Sequence, residues 1–276
     1  VDKYVRPEIS LAQYLAQRYY LGTLCHSAPL FFALGNHDGE PGDKASNLWA
    51  TQTRKRYFPN PFPDHFYSGN SHTEPEVGTV ENYYAWTWGD ALFITLDPYW
   101  HSAVVVDNAL GESGPAGTGA PAAEGMAGMD AATVASGMGM DTATPPTTVA
   151  TNYSAMGARD IWDITHGEAQ YRWLEKTLKE SKAKYKFIFA HHVLGTGRGG
   201  IDMLDQGEWG GKNLQGVWEF DKKRPGWSLP IHQLMVKYKV SAFFQGHDHI
   251  FVRQDQDGIV YQETPNPANP FYEDAV

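Results

Sequence analysis

Three short apolar runs in this chain lead straight into histidine, and that pattern constrains the fold more than any other. Residues 30–34 run into Gly35-Asn36-His37-Asp38, residues 185–190 into His191-His192, and residues 241–245 into Gly246-His247-Asp248-His249. A short apolar run bounded by turn residues reads as a buried strand. Helical patterns lie between the runs, and strands alternating with helices indicate an α/β layered domain. In such domains sites assemble from loops at the carboxyl ends of strands. A single strand-end histidine is ordinarily structural. Three such ends, carrying five of the eleven histidines, point instead to a metal site. A His-x-His pair directly after a strand can aim its two rings at neighbouring positions. Gly35 and Gly246 precede the polar residues, where a backbone must turn sharply or a ligand must come close.

The intervening segments are read in the same way. In PEISLAQYLAQRYYL (7–21), Leu11, Tyr14, Leu15 and Tyr19 fall on one helical face, with Gly22 at its end. Residues 43–70, rich in Pro, Asn, Tyr and Phe, read as a long loop pinned by aromatic rings. NYYAWTWGDALFITLD (82–97) is a hairpin pattern around Gly89-Asp90. GEAQYRWLEKTLKES (167–181) is an amphipathic helix with Tyr171, Leu174 and Leu178 on one stripe. LPIHQLMVKYKV (229–240) is helical, and GIVYQET (258–264) is a further strand.

With 276 residues and 42% hydrophobic content the chain can bury a substantial core. No apolar run is long enough for a membrane span. The formal charge of −10 argues against general affinity for nucleic acid or anionic membrane, because phosphate backbones call for basic patches. A small phosphorylated molecule stays compatible with that charge if its site is locally positive. Cys25 is the single cysteine, which rules out an intrachain disulfide framework.

Residues 109–150 contain no aromatic residue and no Lys or Arg, and Gly, Ala and Thr dominate. Such a tract cannot build a packed core, so an insertion at about 103–155 is expected. Four of the seven methionines lie in it. With no His or Cys beside them they read as filler rather than as a copper site.

The motifs GNHD, AHH preceded by KFIF, and GHDH resemble, in order and approximate spacing, the later motifs of the calcineurin-like metallophosphoesterases. YYAWTWGDALFITLD is similar to that family's central hairpin, and YRWLEKTLKESKAKYKFIFAHH to its helix–strand step into a metal-binding histidine. The resemblance spans most of 7–102 and 160–264. The GHDHIFVR context and the aromatic-rich loop are similar to purple-acid-phosphatase-like and other exported branches. The fold so implied is a four-layer α/β/β/α sandwich, a single domain over 1–276. The implied activity is metal-dependent hydrolysis of phosphate mono- or diesters.

The resemblance also implies a cofactor of two metal ions, Zn, Fe or Mn, about 3.5 Å apart and sharing a bridging carboxylate and hydroxide. By motif, Asn36, His191 and His247 would bind one ion and His249 the other. His37 would contact the phosphoryl group and protonate the leaving oxygen, with Asp38 holding His37 in position. His192 and His101 are candidates for substrate contact; a place behind the metal ligands for His192 and a plain surface position for His101 are the alternatives. The segment RKRYFPNP (54–61) could bind substrate anions or be a solvated basic face.

The family pattern further demands Asp-x-His and Gly-Asp-x-x-Asp motifs on two earlier strands, and neither occurs before Gly35. VDKYVRPEIS lacks an initiator Met and runs directly into a helix signal. The expectation is therefore of an N-terminally incomplete domain whose first strands belong to a longer protein. The rival is an inactive phosphoesterase-like relative serving as an extracellular binding or structural module. An unrelated mononuclear zinc protein would leave three ordered motifs unexplained. The insertion and the absence of paired cysteines suit a secreted or cell-surface protein.

Overall fold

The computed structural model describes residues 7–36, 38, 44–102, 106, 160–192 and 200–265, with the backbone alone described at 7–10 and 44–47. Alternation along the strands sets the layering. Leu92 and Ile94 face one side of their strand and Phe93 the other; the first two are buried, the third half-buried. The strands are β1 (Ser68–Gly69), β2 (Thr73–Glu74), β3 (Gly78–Thr79), β4 (Tyr84–Trp88), β5 (Ala91–Thr95), β6 (Tyr185–Phe189), β7 (Ala242–Gln245), β8 (Val252–Gln256) and β9 (Ile259–Glu263). Seven of them form one sheet in the order β1-β4-β5-β6-β7-β9-β8, and β2 pairs with β3. β5, β6, β7 and β9 run parallel, flanked by antiparallel β4 and β8. The fold is mixed α/β.

The hairpin β4–β5 closes as its pattern predicts, from Tyr84↔Thr95 to Trp88↔Ala91. Gly89 takes a φ of 60° in its two-residue turn, which glycine adopts without steric cost. Of the helices, α1 spans Pro7–Cys25, α2 Lys44–Tyr57, α3 Gly167–Glu180, α4 Gly207–Gly210, α5 Phe220–Lys223 and α6 Ile231–Lys237. The stripe Tyr171, Leu174 and Leu178 on α3 is fully buried, in one core with Ile94, Ile188, Phe243 and Tyr261 of the sheet and Ile231 and Leu234 of α6. Trp227 stacks on Tyr171 at 3.7 Å between ring centroids.

The opposite face of the sheet carries a file of half-buried rings. Trp86 stacks on Phe93 at 5.0 Å, Phe93 meets Phe187 at 5.6 Å, and Phe187 meets Phe244 at 6.3 Å. Phe31 stacks on Trp86 at 4.2 Å, so the segment leading to Asn36 crosses this face.

Residues 30–34 form no strand. At the centre of this segment the backbone of Phe32 is held by side chains: Asn60 Oδ1 accepts from Phe32 N, while Asn60 Nδ2 and the Tyr84 hydroxyl donate to Phe32 O. Those bonds satisfy the N–H and C=O of Phe32 that strand pairing would otherwise satisfy. The long loop expected over 43–70 begins with α2, which packs on α1 through Tyr14 and Tyr57, stacked at 5.2 Å. α1 runs past Gly22 to Cys25, and of its expected apolar face only Tyr14 is buried. Leu11, Leu15 and Tyr19 stay exposed among the described residues. α6 is shorter than its pattern, and β8 was not anticipated. The insertion expected at about 103–155 lies outside the described residues apart from Val106, which is buried in the core. No helix among the described residues is long and apolar enough to cross a membrane.

Candidate metal centre

Because β5, β6 and β7 are parallel neighbours, their carboxyl ends deliver Asp97, His191 and His247 to one edge of the sheet. The chain leaves β7 there, crosses through 246–251 and enters β8 at that edge, where Glu263 of β9 pairs with Val252. Asp248 N donates to the buried Glu263 carboxylate at 3.0 Å, which ties down the crossover. His247 and His249 both take left-handed φ values, 81° and 60°. Such backbone is uncommon outside glycine, and where it occurs it clusters at functional sites.

Three polar side chains from separate segments meet here. Nε2 of His191 lies 2.9 Å from Oδ1 of Asn36, and Nδ1 of His247 lies 3.4 Å from the same Nε2. Asn36 is only 2% exposed. Gly35 supplies the room: a Cβ there would come 3.2 Å from the His191 ring. Gly246 is different, since the nearest atom to its Cβ would be a carbonyl oxygen at 3.5 Å, an ordinary contact. Asp38 accepts from Gly35 N through Oδ2 at 2.8 Å, closing the turn that presents Asn36. His37 lies outside the described residues. His249 is half-buried two residues beyond His247.

His192 is buried and stacks on His247, with centroids 4.0 Å apart and ring planes 25° apart. Its Nδ1 lies 2.9 Å from the Tyr99 hydroxyl. Tyr99 N in turn donates to Asp97 Oδ1, and Asn82 Nδ2 donates to Oδ2 at 2.6 Å. Burial pushes the Asp97 carboxyl up, against the Asn82 and Tyr99 hydrogen bonds that favour its charged form. Asp97 and Tyr99 were missed at the sequence level. The available signal was LDPY directly after a buried strand, the same apolar-to-polar break that marks the histidine loops. His101 is exposed, as its surface alternative has it, yet it packs its ring against Gly167, and the partial desolvation lowers its pKa, opposed by the charge of Asp97.

The basic segment 54–61 divides between the end of α2 and the loop behind it. Arg54 is buried and donates to the carbonyls of Phe58 and Val80. Lys55 donates to those of Val77 and Thr79 and pairs with Glu81 at 2.9 Å. These two cations are committed to the scaffold.

The donor set can be weighed against a metal ion on chemistry alone. Donors ~2.1 Å from one ion stand ~3.0–3.4 Å apart for octahedral or tetrahedral arrangements, the range seen from His191 to its two neighbours. A mixed amide and imidazole set suits Zn, Fe or Mn. Two of the trio's separations are thus close to what a shared ion would require. Among the described residues no group of three or more His, Cys, Asp or Glu is placed to hold a metal.

No protein-family model matches the chain, and no curated protein matches it either.

Proposed function

We propose that this chain is a metal-dependent phosphoester hydrolase acting on phosphate mono- or diesters. The observation that carries the proposal is the meeting of Asn36, His191 and His247 at donor–donor separations suited to one ion. These residues belong to three ordered motifs that resemble one family. The finer fold, a four-layer α/β/β/α sandwich, is part of the proposal. It is supported by the half-buried aromatic file on the second sheet face, a surface suited to a further layer.

In this reading Asn36, His191 and His247 hold one ion and His249 contributes to a second. Bound metal supplies charge stabilisation of the phosphoryl oxygens and a water acidified toward neutrality. The protein's own groups do the rest. Asn36 adds no negative charge, so the site remains attractive to an anion on a chain of charge −10. His37 is assigned the proton delivered to the leaving oxygen, and Asp38 fixes the turn that presents it. Tyr99 fixes the His192 ring, which in turn supports His247 by stacking.

The test is hydrolysis of p-nitrophenyl phosphate and bis(p-nitrophenyl) phosphate after chelation and after addition of Mn²⁺, Zn²⁺ or Fe. Turnover that returns with metal and is lost in a folded His191→Ala variant is the expected result. A second reading, an inactive phosphoesterase-like binding module, accords with the finding that no three His, Cys, Asp or Glu side chains are grouped to hold a metal among the described residues. It predicts substoichiometric metal and no turnover with any ion, an outcome that would overturn the enzymatic proposal.

A further inference from the structure

Away from the trio, a second buried polar cluster joins the segment before α3 to α4. Nδ1 of His166 lies 3.0 Å from Glu208 Oε2, while Arg224 Nε and Thr165 Oγ1 donate to Oε1. Burial alone would raise the Glu208 carboxyl. The His166 hydrogen bond, the His166 and Arg224 charges and the Thr165 hydroxyl outweigh it and hold the group below the usual range. A charged carboxylate only accepts, so Nδ1 of His166 carries the hydrogen in that contact. The other ring nitrogen, Nε2, faces a different environment.

A small cavity of about 10 Å³ is lined in part by His166, Gln206 and Trp209. Among the described residues, His166 Nε2, Gln206 Oε1 and Trp209 Nε1 are buried and make no hydrogen bond. His166 and Trp209 are only 3% and 4% exposed. Three residues that line one cavity thus each carry one unsatisfied buried polar atom, with its cost. Their chemistry selects the occupant. The indole N–H only donates and the amide oxygen only accepts, so the ligand must do both. Ammonium cannot accept from Trp209, chloride cannot donate to Gln206, and a metal cation would oppose the indole N–H. The volume admits one water and nothing larger.

We propose that this cavity is a binding site for a single water molecule. It accepts from Trp209 Nε1, donates to Gln206 Oε1 and completes a third hydrogen bond with His166 Nε2, three being typical of buried water. The water joins two segments that otherwise meet through Glu208. It also steadies His166, whose carbonyl accepts from the Gln170 amide that holds the Asp97 carbonyl as well.

The test is a water-to-amide NMR cross-relaxation experiment on the intact protein, read at the indole N–H of Trp209 and paired with a high-resolution crystal structure. A long-lived water signal at that proton is expected, with an oxygen peak within hydrogen-bond distance of all three atoms. In Gln206→Met, of nearly equal size and without the acceptor, the signal should fall several-fold or vanish. Absence of the signal in the wild-type protein overturns the proposal, as does an undiminished signal in folded Gln206→Met. If that variant does not fold, the wild-type signal and electron density decide alone.

Discussion

His191 Nε2 and Asn36 Oδ1 stand 2.9 Å apart, although 155 positions separate them in the chain. That contact depends on how the 30–36 segment is held. Asn60 clamps both sides of the Phe32 backbone, the Tyr84 hydroxyl donates to the same carbonyl, and Phe31 stacks on Trp86. Asn60→Ala removes the clamp and leaves the trio's own side chains untouched. Metal-dependent turnover should fall ~10–100-fold, the usual cost of losing a supporting contact. Steady-state kinetics with metal content measured in parallel checks this; unchanged turnover would mean the clamp does not position Asn36.

The two glycines before the polar loops should respond differently. Gly35→Ala places a methyl group 3.2 Å from the His191 ring, which must shift by a few tenths of an ångström. Activity should drop on the order of tenfold, because small misplacements at a reacting centre are costly. Gly246→Ala meets nothing closer than 3.5 Å and should retain wild-type activity within about twofold. Equal sensitivity of the two variants would contradict this account.

Arg54 should prove structural. Arg54→Met strips the hydrogen-bond donors from the carbonyls of Phe58 and Val80 and a cation from beside Glu81. A loss of about 3 kcal/mol in unfolding free energy is expected, with KM for a phosphate ester unchanged. A raised KM at unchanged stability would restore a role for this segment in anion binding.

Glu208 makes stability depend on acid pH. Its folded pKa lies below the ordinary 4.5, so the unfolded chain takes up the proton first. The stabilisation is complete above about pH 4.5 and is lost as pH falls toward the lowered folded value. Glu208→Gln should lose about 3–5 kcal/mol at pH 7 by leaving His166 and Arg224 without their charged partner. Its stability should also vary less between pH 5 and pH 3 than that of the wild type, a difference that denaturant titrations across this range would measure.

Much of the fold follows from local pattern. The β4–β5 hairpin was legible because two β-rich runs flank Gly89-Asp90. α3 was legible because Tyr171, Leu174 and Leu178 recur at helical spacing. β6, β7 and β9 were legible as short apolar runs. Residues 44–57 were misread because α2 has little apolar periodicity of its own; the Tyr14–Tyr57 stack and the carbonyls held by Arg54 and Lys55 secure it. Residues 30–34 misled in the opposite direction. Apolar content marks a buried segment, but whether its backbone joins a ladder depends on which partners are near, and Asn60 and Tyr84 arrive from elsewhere.

The sequence by itself determined the α/β alternation, the sites where apolar runs break into polar loops, and the residue types in those loops. Each is a property of neighbours along the chain. Only the tertiary structure decided that Asn36, His191 and His247 meet, that Asp97 and Tyr99 stand behind His192, and that Arg54 faces inward. Those relations depend on which strand ends become neighbours, and parallel pairing of β5, β6 and β7 settles that through contacts remote in sequence.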